Sequence, residues 1–119
     1  MAKMDFGIGL GAELRFDEVA AHAKVADEYG VSHLHVVDQS NVCRECFGMM
    51  TIAALNTRRI HIGHGLCDPL MYHPAVIGNF IASLRELTGG RAFVGLGAGT
   101  PDAGKATKKP VGLQAQRET

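Results

Sequence analysis

The stretch VGLGAGTPDAGKAT, residues 94–107, contains two overlapping glycine patterns. Its first half alternates glycine with apolar residues, and its second half spells Gly-x-x-x-x-Gly-Lys. A phosphate-binding loop needs Ser or Thr directly after that lysine to ligate magnesium, and a helix whose N-terminus faces the phosphates. Here Ala106 follows Lys105, and Pro110 would interrupt the helix. The pattern therefore favours a loop with a solvated lysine over a nucleoside triphosphate site.

A second glycine pattern, Gly7-x-Gly9-x-x-Ala12, coincides with the first apolar run. Asp38 closes the next apolar run, where a dinucleotide-binding domain places its ribose-binding acid. However, the glycines lie within the predicted strand, and several residues separate Gly9 from a helix cap at Asp17. A dinucleotide-binding α/β domain is therefore kept only as an alternative.

Cysteine and histidine are the remaining residues that could carry chemistry. Cys43 and Cys46 form a C-x-x-C pair, Cys67 follows the third apolar run, and His64 and His73 lie near it in sequence. Zinc binds such ligands, but structural zinc sites usually contain two ligand pairs and only one is present. We therefore predict no metal, treat the cysteines as packing or loop residues, and assign no catalytic proton donor.

Short apolar runs alternate with helical patterns along the chain. The predicted strands cover residues 4–10, 32–38, 58–66 and 91–99, and the predicted helices cover 15–30, 45–57 and 75–90. Strand starts recur every 26 to 33 residues, which is the size of a βα unit. This pattern predicts an α/β fold of parallel strands joined by crossover helices. His33, His35 and His61 alternate with apolar residues and are interpreted as structural residues of the strands.

Helix start and stop signals support these boundaries. Asp17 is the predicted N-cap of the first helix, and Gly30 its stop. Pro74 suits the first turn of the third helix, and Gly89 and Gly90 terminate it.

Composition restricts the class of protein. The 119 residues are enough for one domain, and 12 basic residues balance 12 acidic ones, which gives no net field toward nucleic acid or an anionic membrane. No apolar run is long enough to span a bilayer, and the start of the chain contains no signal-peptide core. Three unevenly spaced cysteines fit reduced thiols, so we expect a cytoplasmic protein.

An ordered set of motifs resembles the luciferase-like monooxygenase superfamily. The set consists of Asp38 and then AALNTRRIHIGHGL, DPLMYHPAV, SLRELTGGR and GLGAG. The resemblance covers residues 4 to 118 and is closest to the branch that uses the deazaflavin coenzyme F420, the methylenetetrahydromethanopterin reductases. It implies the N-terminal half of a TIM-type (β/α)₈ barrel, with about four strands and with residues 100–119 as a loop and a truncated helix.

The family also implies a cofactor and its contacts. In a parallel barrel the active site gathers at the carboxyl ends of the strands, where glycines let the backbone approach a flat ring. The resemblance implies F420 or FMN, and a non-prolyl cis peptide bond between Gly65 and Leu66 behind the ring. The implied cofactor-binding residues are Asp38, Gln39, Gly65, Leu66, Cys67, Gly97, Ala98 and Gly99.

Some positions depart from a related group. Sugar-phosphate dehydrogenases of this branch have a His, a Trp and an acid where this chain has Gln39, Cys43 and Thr100. That sugar chemistry is therefore not implied. We expect an oxidoreductase that transfers a hydride between its cofactor and a small organic substrate, inactive as an isolated half-barrel. A non-enzymatic half-barrel module is the alternative. Two open sheet edges predict a homo-oligomer, most simply a dimer that closes the barrel.

Overall fold

The computed structural model describes residues 3–11, 13–39 and 43–97. Four strands alternate with three helices in the order β1 (Gly7–Leu10), α1 (Phe16–Glu28), β2 (His33–Val36), α2 (Cys46–Leu55), β3 (His61–His64), α3 (Pro74–Thr88) and β4 (Ala92–Phe93). The strands form one parallel sheet in chain order, which confirms the predicted βα units. Within the described ranges, no helix is long and apolar enough to cross a membrane.

The strands are shorter than the apolar runs predicted. The run at residues 4–10 begins before β1, and the runs at 58–66 and 91–99 continue past β3 and β4 because apolar residues also enter the segments that follow these strands. At the end of the fourth run, Leu96 forms an isolated parallel bridge with Cys67. Ala98 and Gly99, together with the Gly-Lys sequence and residues 100–119, lie outside the described residues.

The helix boundaries follow their capping residues, with one correction. The prediction that Asp17 caps α1 is wrong: the N-cap is Arg15, whose backbone N–H donates to the Glu18 carboxylate at 2.9 Å. Asp17 lies in the first turn instead, where its negative charge still favours the helix N-terminus. Pro74 begins α3, and Gly89 ends it with a φ of 66°, both as predicted.

The core lies between the sheet and the helices. We call the sheet surface that the helices cover the outer face; Leu34, Val36 and Ile62 are fully buried there. Met49 and Met50 of α2 pack in the same core. The opposite surface, the inner face, carries His33, His35, His61 and Phe93.

A buried carboxylate ties α1 to the start of β3. Asp27 accepts hydrogen bonds from the backbone N–H groups of Arg58, Arg59 and Ile60 at 2.8 to 2.9 Å. Burial opposes ionisation of Asp27, but these donors outweigh it and hold the pKa of the carboxyl below its usual value. This bridge fixes where β3 begins and therefore where its carboxyl end lies.

Candidate cofactor-binding site

The predicted cofactor residues that the structure describes lie at one edge of the sheet. Asp38 and Gln39 follow β2, residues 65–67 follow β3, and Gly97 lies beyond β4. The carboxyl ends of parallel strands meet at one edge, and here hydrogen bonds join the segments. Gly65 donates to the Val36 carbonyl at 2.8 Å.

The segment after β3 also pairs with the chain beyond β4. The Cys67 N–H donates to the Gly95 carbonyl at 2.6 Å, and the Gly97 N–H donates to the Cys67 carbonyl at 3.0 Å. Residues 65–67 are therefore held on both sides by backbone hydrogen bonds.

The structure contains a cis peptide bond between Gly65 and Leu66. This is the bond that the family resemblance implied at these residues. The Leu66 side chain after it is 55% exposed, so an apolar group faces outward at the edge of the sheet.

Glycines lie close to the side chains of Leu66 and His35. A Cβ on Gly97 would lie 3.0 Å from Leu66 Cδ1, and one on Gly95 would lie 2.7 Å from Leu66 Cδ2. A Cβ on Gly65 would lie 2.6 Å from the Cβ of His35. The side-chain-free positions therefore make room for Leu66 and His35.

Asp38 has partners on the side of the sheet that carries His64. The Tyr72 hydroxyl donates to its carboxylate at 3.0 Å, and the Asp68 N–H donates at 3.4 Å. The thiols of Cys46 and Cys67 also form hydrogen bonds with this carboxylate. Gln39, the next residue, is exposed. Asp38 is half-buried, so Gln39 is the more accessible of these two neighbours.

Burial keeps the nearby titratable groups uncharged at neutral pH. It raises the pKa of the Cys67 thiol to about 12, with the Asp38 charge and hydrogen bond adding to the effect. It also raises the pKa of Cys46, and it lowers the pKa of His64 against the opposing charge of Asp38. Protonated thiols are poor nucleophiles, so these cysteines are not poised for covalent catalysis.

The cluster that Asp38 forms with Cys46, His64, Cys67 and Tyr72 was not predicted from the sequence. One sequence signal did separate His64 from the other strand histidines: it lies three residues after His61, so the period of two places the two side chains on opposite faces of β3. Cys43 is half-buried, and His73 caps α3 by accepting from the Ala75 N–H at 3.2 Å. Neither belongs to the group of close ligand atoms in the described part of the chain.

The dinucleotide alternative does not fit the structure. Gly7 and Gly9 lie inside β1, and α1 begins only at Phe16, whereas that motif turns directly into its helix. An open groove does lie beside the end of β1, lined by residues that include Leu10, Glu13 and Leu14. It contains none of the predicted cofactor residues.

The family model of luciferase-like monooxygenase matches residues 1–109. The chain therefore belongs to the luciferase-like monooxygenase family, as the ordered motifs indicated. The 5,10-methylenetetrahydromethanopterin reductase of Archaeoglobus fulgidus is 34% identical over 110 residues, which are 92% of this chain and 32% of that relative.

Two solved structures show the same fold. The F420-dependent tetrahydromethanopterin reductase of Methanopyrus kandleri has a TM-score of 0.82 at 31% identity, over 92% of this chain and 31% of that one. A type II Baeyer-Villiger monooxygenase of Pseudomonas putida, solved with FMN, has a TM-score of 0.77 at 25% identity, over 87% and 32%. The chain spans about a third of the length of the proteins it matches.

Proposed function

We propose that this chain forms the first βα units of an F420- or FMN-dependent oxidoreductase that acts on a small organic molecule. The observation that carries the proposal is the exposed Leu66 side chain, which lies against Gly95 and Gly97 at the carboxyl edge of a parallel sheet. Similar proteins described as F420-dependent or solved with FMN support the choice of these two cofactors.

The proposed ring contacts follow from exposure. Leu66 would pack against the ring, and Gln39 is accessible beside it. Asp38 and Cys67 would support the Gly65–Leu66 segment from behind, since Asp38 faces the buried cluster and Cys67 is fully buried. Gly97 belongs to the proposed site by its hydrogen bond to Cys67, and Ala98 and Gly99 belong to it by sequence alone.

The chemistry would reside in the cofactor. When bound, F420 or FMN supplies a ring that accepts or donates a hydride, while the protein orients it and excludes water. The apolar Leu66 surface would exclude water from one side of the ring. Because the buried thiols and His64 are uncharged at neutral pH, we assign no proton transfer to them.

Further strands would have to complete such a site. In the described sheet, β1 and β4 each have only one neighbouring strand, and Ile8 and Val94 on the two sides are 38% and 40% exposed. We propose a dimer in which β4 of one copy lies beside β1 of the other. A single 1–119 half-barrel domain and a cytoplasmic location stay predictions. A non-enzymatic assembly module is the alternative.

A chimaera tests the ring surface. The chain replaces the matching segment of the Methanopyrus kandleri reductase, and F420 binding is followed by fluorescence quenching. Leu66→Glu should weaken binding at least roughly tenfold, because a charge would be buried under the ring. Leu55→Glu is the matched control, since Leu55 is 66% exposed on α2.

Equal binding by both variants would show that the ring surface is misplaced. The isolated chain should bind F420 and FMN only weakly, because most of the barrel is supplied by other strands. Sub-micromolar affinity of the isolated chain for either cofactor would contradict the proposal that other strands are needed.

Association of the chain is a separate prediction. Open strand edges and zero formal net charge favour self-association, so sedimentation equilibrium at low micromolar concentration should show a species of twice 12.7 kDa or larger. Glu28→Lys, at an exposed residue of α1, controls for a simple effect of net charge. A folded, stable 12.7 kDa species would exclude the dimer.

A further inference from the structure

Four metal-ligating side chains converge behind the carboxyl ends of β2 and β3. Ligand atoms of Asp38, Cys46 and His64 all lie within 4.8 Å of one another. Cys67 lies outside this group of three but next to it, because its thiol interacts with the same Asp38 carboxylate as the thiol of Cys46. Cys46, His64 and Cys67 are at most 1% exposed.

His64 gives an independent reason to expect a ligand in this group. Its side chain is fully buried, yet among the described residues neither ring nitrogen has a hydrogen-bond partner. Buried polar atoms in folded proteins are almost always paired. The rings of Phe47 and Phe80 lie beside the imidazole at steep angles, with centroids 5.5 and 6.3 Å away, and they contain no oxygen or nitrogen acceptor. A metal ion would take up the lone pair of the nitrogen that faces Cys46 and Asp38.

We propose that Asp38, Cys46, His64 and Cys67 form a structural zinc site. Two sulfurs, one imidazole nitrogen and one carboxylate oxygen make a four-ligand set of the types that Zn²⁺ prefers. On binding, the two protonated thiols would release their protons to solvent, and the resulting thiolates disfavour Mg²⁺ and Ca²⁺, which bind oxygen donors. Four protein ligands would leave no open position for substrate, so the site would be structural.

The geometry needs only a small contraction. Bonds of about 2.3 Å to sulfur and about 2.0 Å to nitrogen or oxygen place tetrahedral ligands roughly 3.3 to 3.8 Å apart. The present separations reach at most 4.8 Å within the three-residue group, which side-chain rotation can close. The ion would join the end of β2, the start of α2 and the segment that follows β3.

Outer hydrogen bonds already orient one ligand. The Tyr72 hydroxyl donates to Asp38 Oδ1 at 3.0 Å, and the Asp68 N–H donates to Oδ2 at 3.4 Å. Such partners hold ligand carboxylates in position in metal sites, and their loss typically costs roughly 10- to 100-fold in affinity. This proposal departs from the sequence-based prediction of no metal. That prediction rested on the number of cysteine pairs, and the place of Asp38 beside the cysteines depends on the tertiary structure.

Cobalt spectroscopy of the reduced, chelator-stripped chain tests the site. Co²⁺ should bind at one ion per chain, with a sulfur-to-cobalt charge-transfer band and the intense d–d absorption of a tetrahedral site, and Zn²⁺ should displace it. Cys46→Ser and Cys67→Ser should each weaken the charge-transfer band and lower the Zn²⁺ affinity at least roughly 100-fold, more than loss of an outer partner does. Tyr72→Phe should lower the affinity roughly tenfold.

Cys43→Ser is the matched control, since Cys43 precedes Cys46 by three residues, is only half-buried, and has its hydrogen bond with the Gln39 backbone and not with the Asp38 carboxylate. Its affinity and cobalt spectrum should equal those of the unchanged chain. Absence of the charge-transfer band from the unchanged chain would overturn the proposal, as would equal losses in the Cys43 and Cys46 variants. If Cys46→Ser and Cys67→Ser fail to fold, the spectrum of the unchanged chain and Tyr72→Phe still decide. Flavin or F420 binding has no part in this test, so its outcome is independent of the proposed function.

Discussion

The two faces of the sheet differ, although successive residues of the same strands contribute to them in turn. On the outer face Leu34, Val36 and Ile62 are fully buried beneath the helices. On the inner face the neighbouring His33 and His35 are only half-buried, and His61 is exposed. The helices therefore cover one face of this sheet. The other face is left partly exposed by the residues that the structure describes.

The inner face is also chemically different. The rings of His33 and His61 stack with centroids 5.2 Å apart, and His35 meets Phe93 edge-on at 5.1 Å. Gly63 lies beside Phe93 in the same layer. Buried aliphatic side chains stabilise the outer face, whereas the inner face consists of imidazole and phenyl rings that pack beside glycine.

The largest expected effect compares adjacent residues of β2. Leu34→Ala removes a fully buried side chain and should lower the free energy of unfolding by about 3 kcal/mol. His35→Ala, on the inner face, should cost less than about 1 kcal/mol because its side chain is half exposed. Urea unfolding followed by circular dichroism measures both, and equal losses would remove the distinction between the faces.

A smaller effect is expected when alanine replaces a glycine on the inner face, compared with a glycine in α3. A Cβ on Gly63 would lie 2.6 Å from Phe93 Cδ2 and would also meet the Phe93 carbonyl oxygen. Gly63→Ala should therefore destabilise the chain by about 2 kcal/mol through overpacking. Gly78→Ala, in the exposed middle of α3 with no atom within 4 Å of the added Cβ, should instead stabilise it by about 0.5 kcal/mol. Thermal unfolding of the two variants should shift in opposite directions, and a neutral Gly63→Ala would mean that the ring layer adapts freely.

The arrangement of the elements could be predicted because their signals are local. Pro74, Gly89 and the spacing of the apolar runs all act within one βα unit, and the structure agrees with each. The prediction that Asp17 caps α1 was wrong because the Glu18 side chain accepts the hydrogen bond from the N–H of Arg15. Composition alone does not decide which of two neighbouring acidic residues makes this contact. The strand ends were overestimated because apolar residues such as Leu66 continue into the turns.

The candidate site was predicted less completely. Gly65 and Leu66 were located through family motifs, and the cis bond is there. The grouping of Cys46 and His64 with Asp38 depends on how α2 sits against β3, which is a property of packing. The contact of Gly97 with Leu66 was not predicted either, since the space beside a glycine depends on its tertiary neighbours.

The strand order also bears on how the chain can fold. Gly7 pairs with His33, and His33 pairs with His61, so each strand meets its partner after a single intervening helix. Loop closure for each pairing spans a similar, moderate length of chain, and no pairing must wait for a distant segment. Each unit can dock on the one before it as it leaves the ribosome, so assembly can proceed in the direction of synthesis, with the growing edge always at the newest strand.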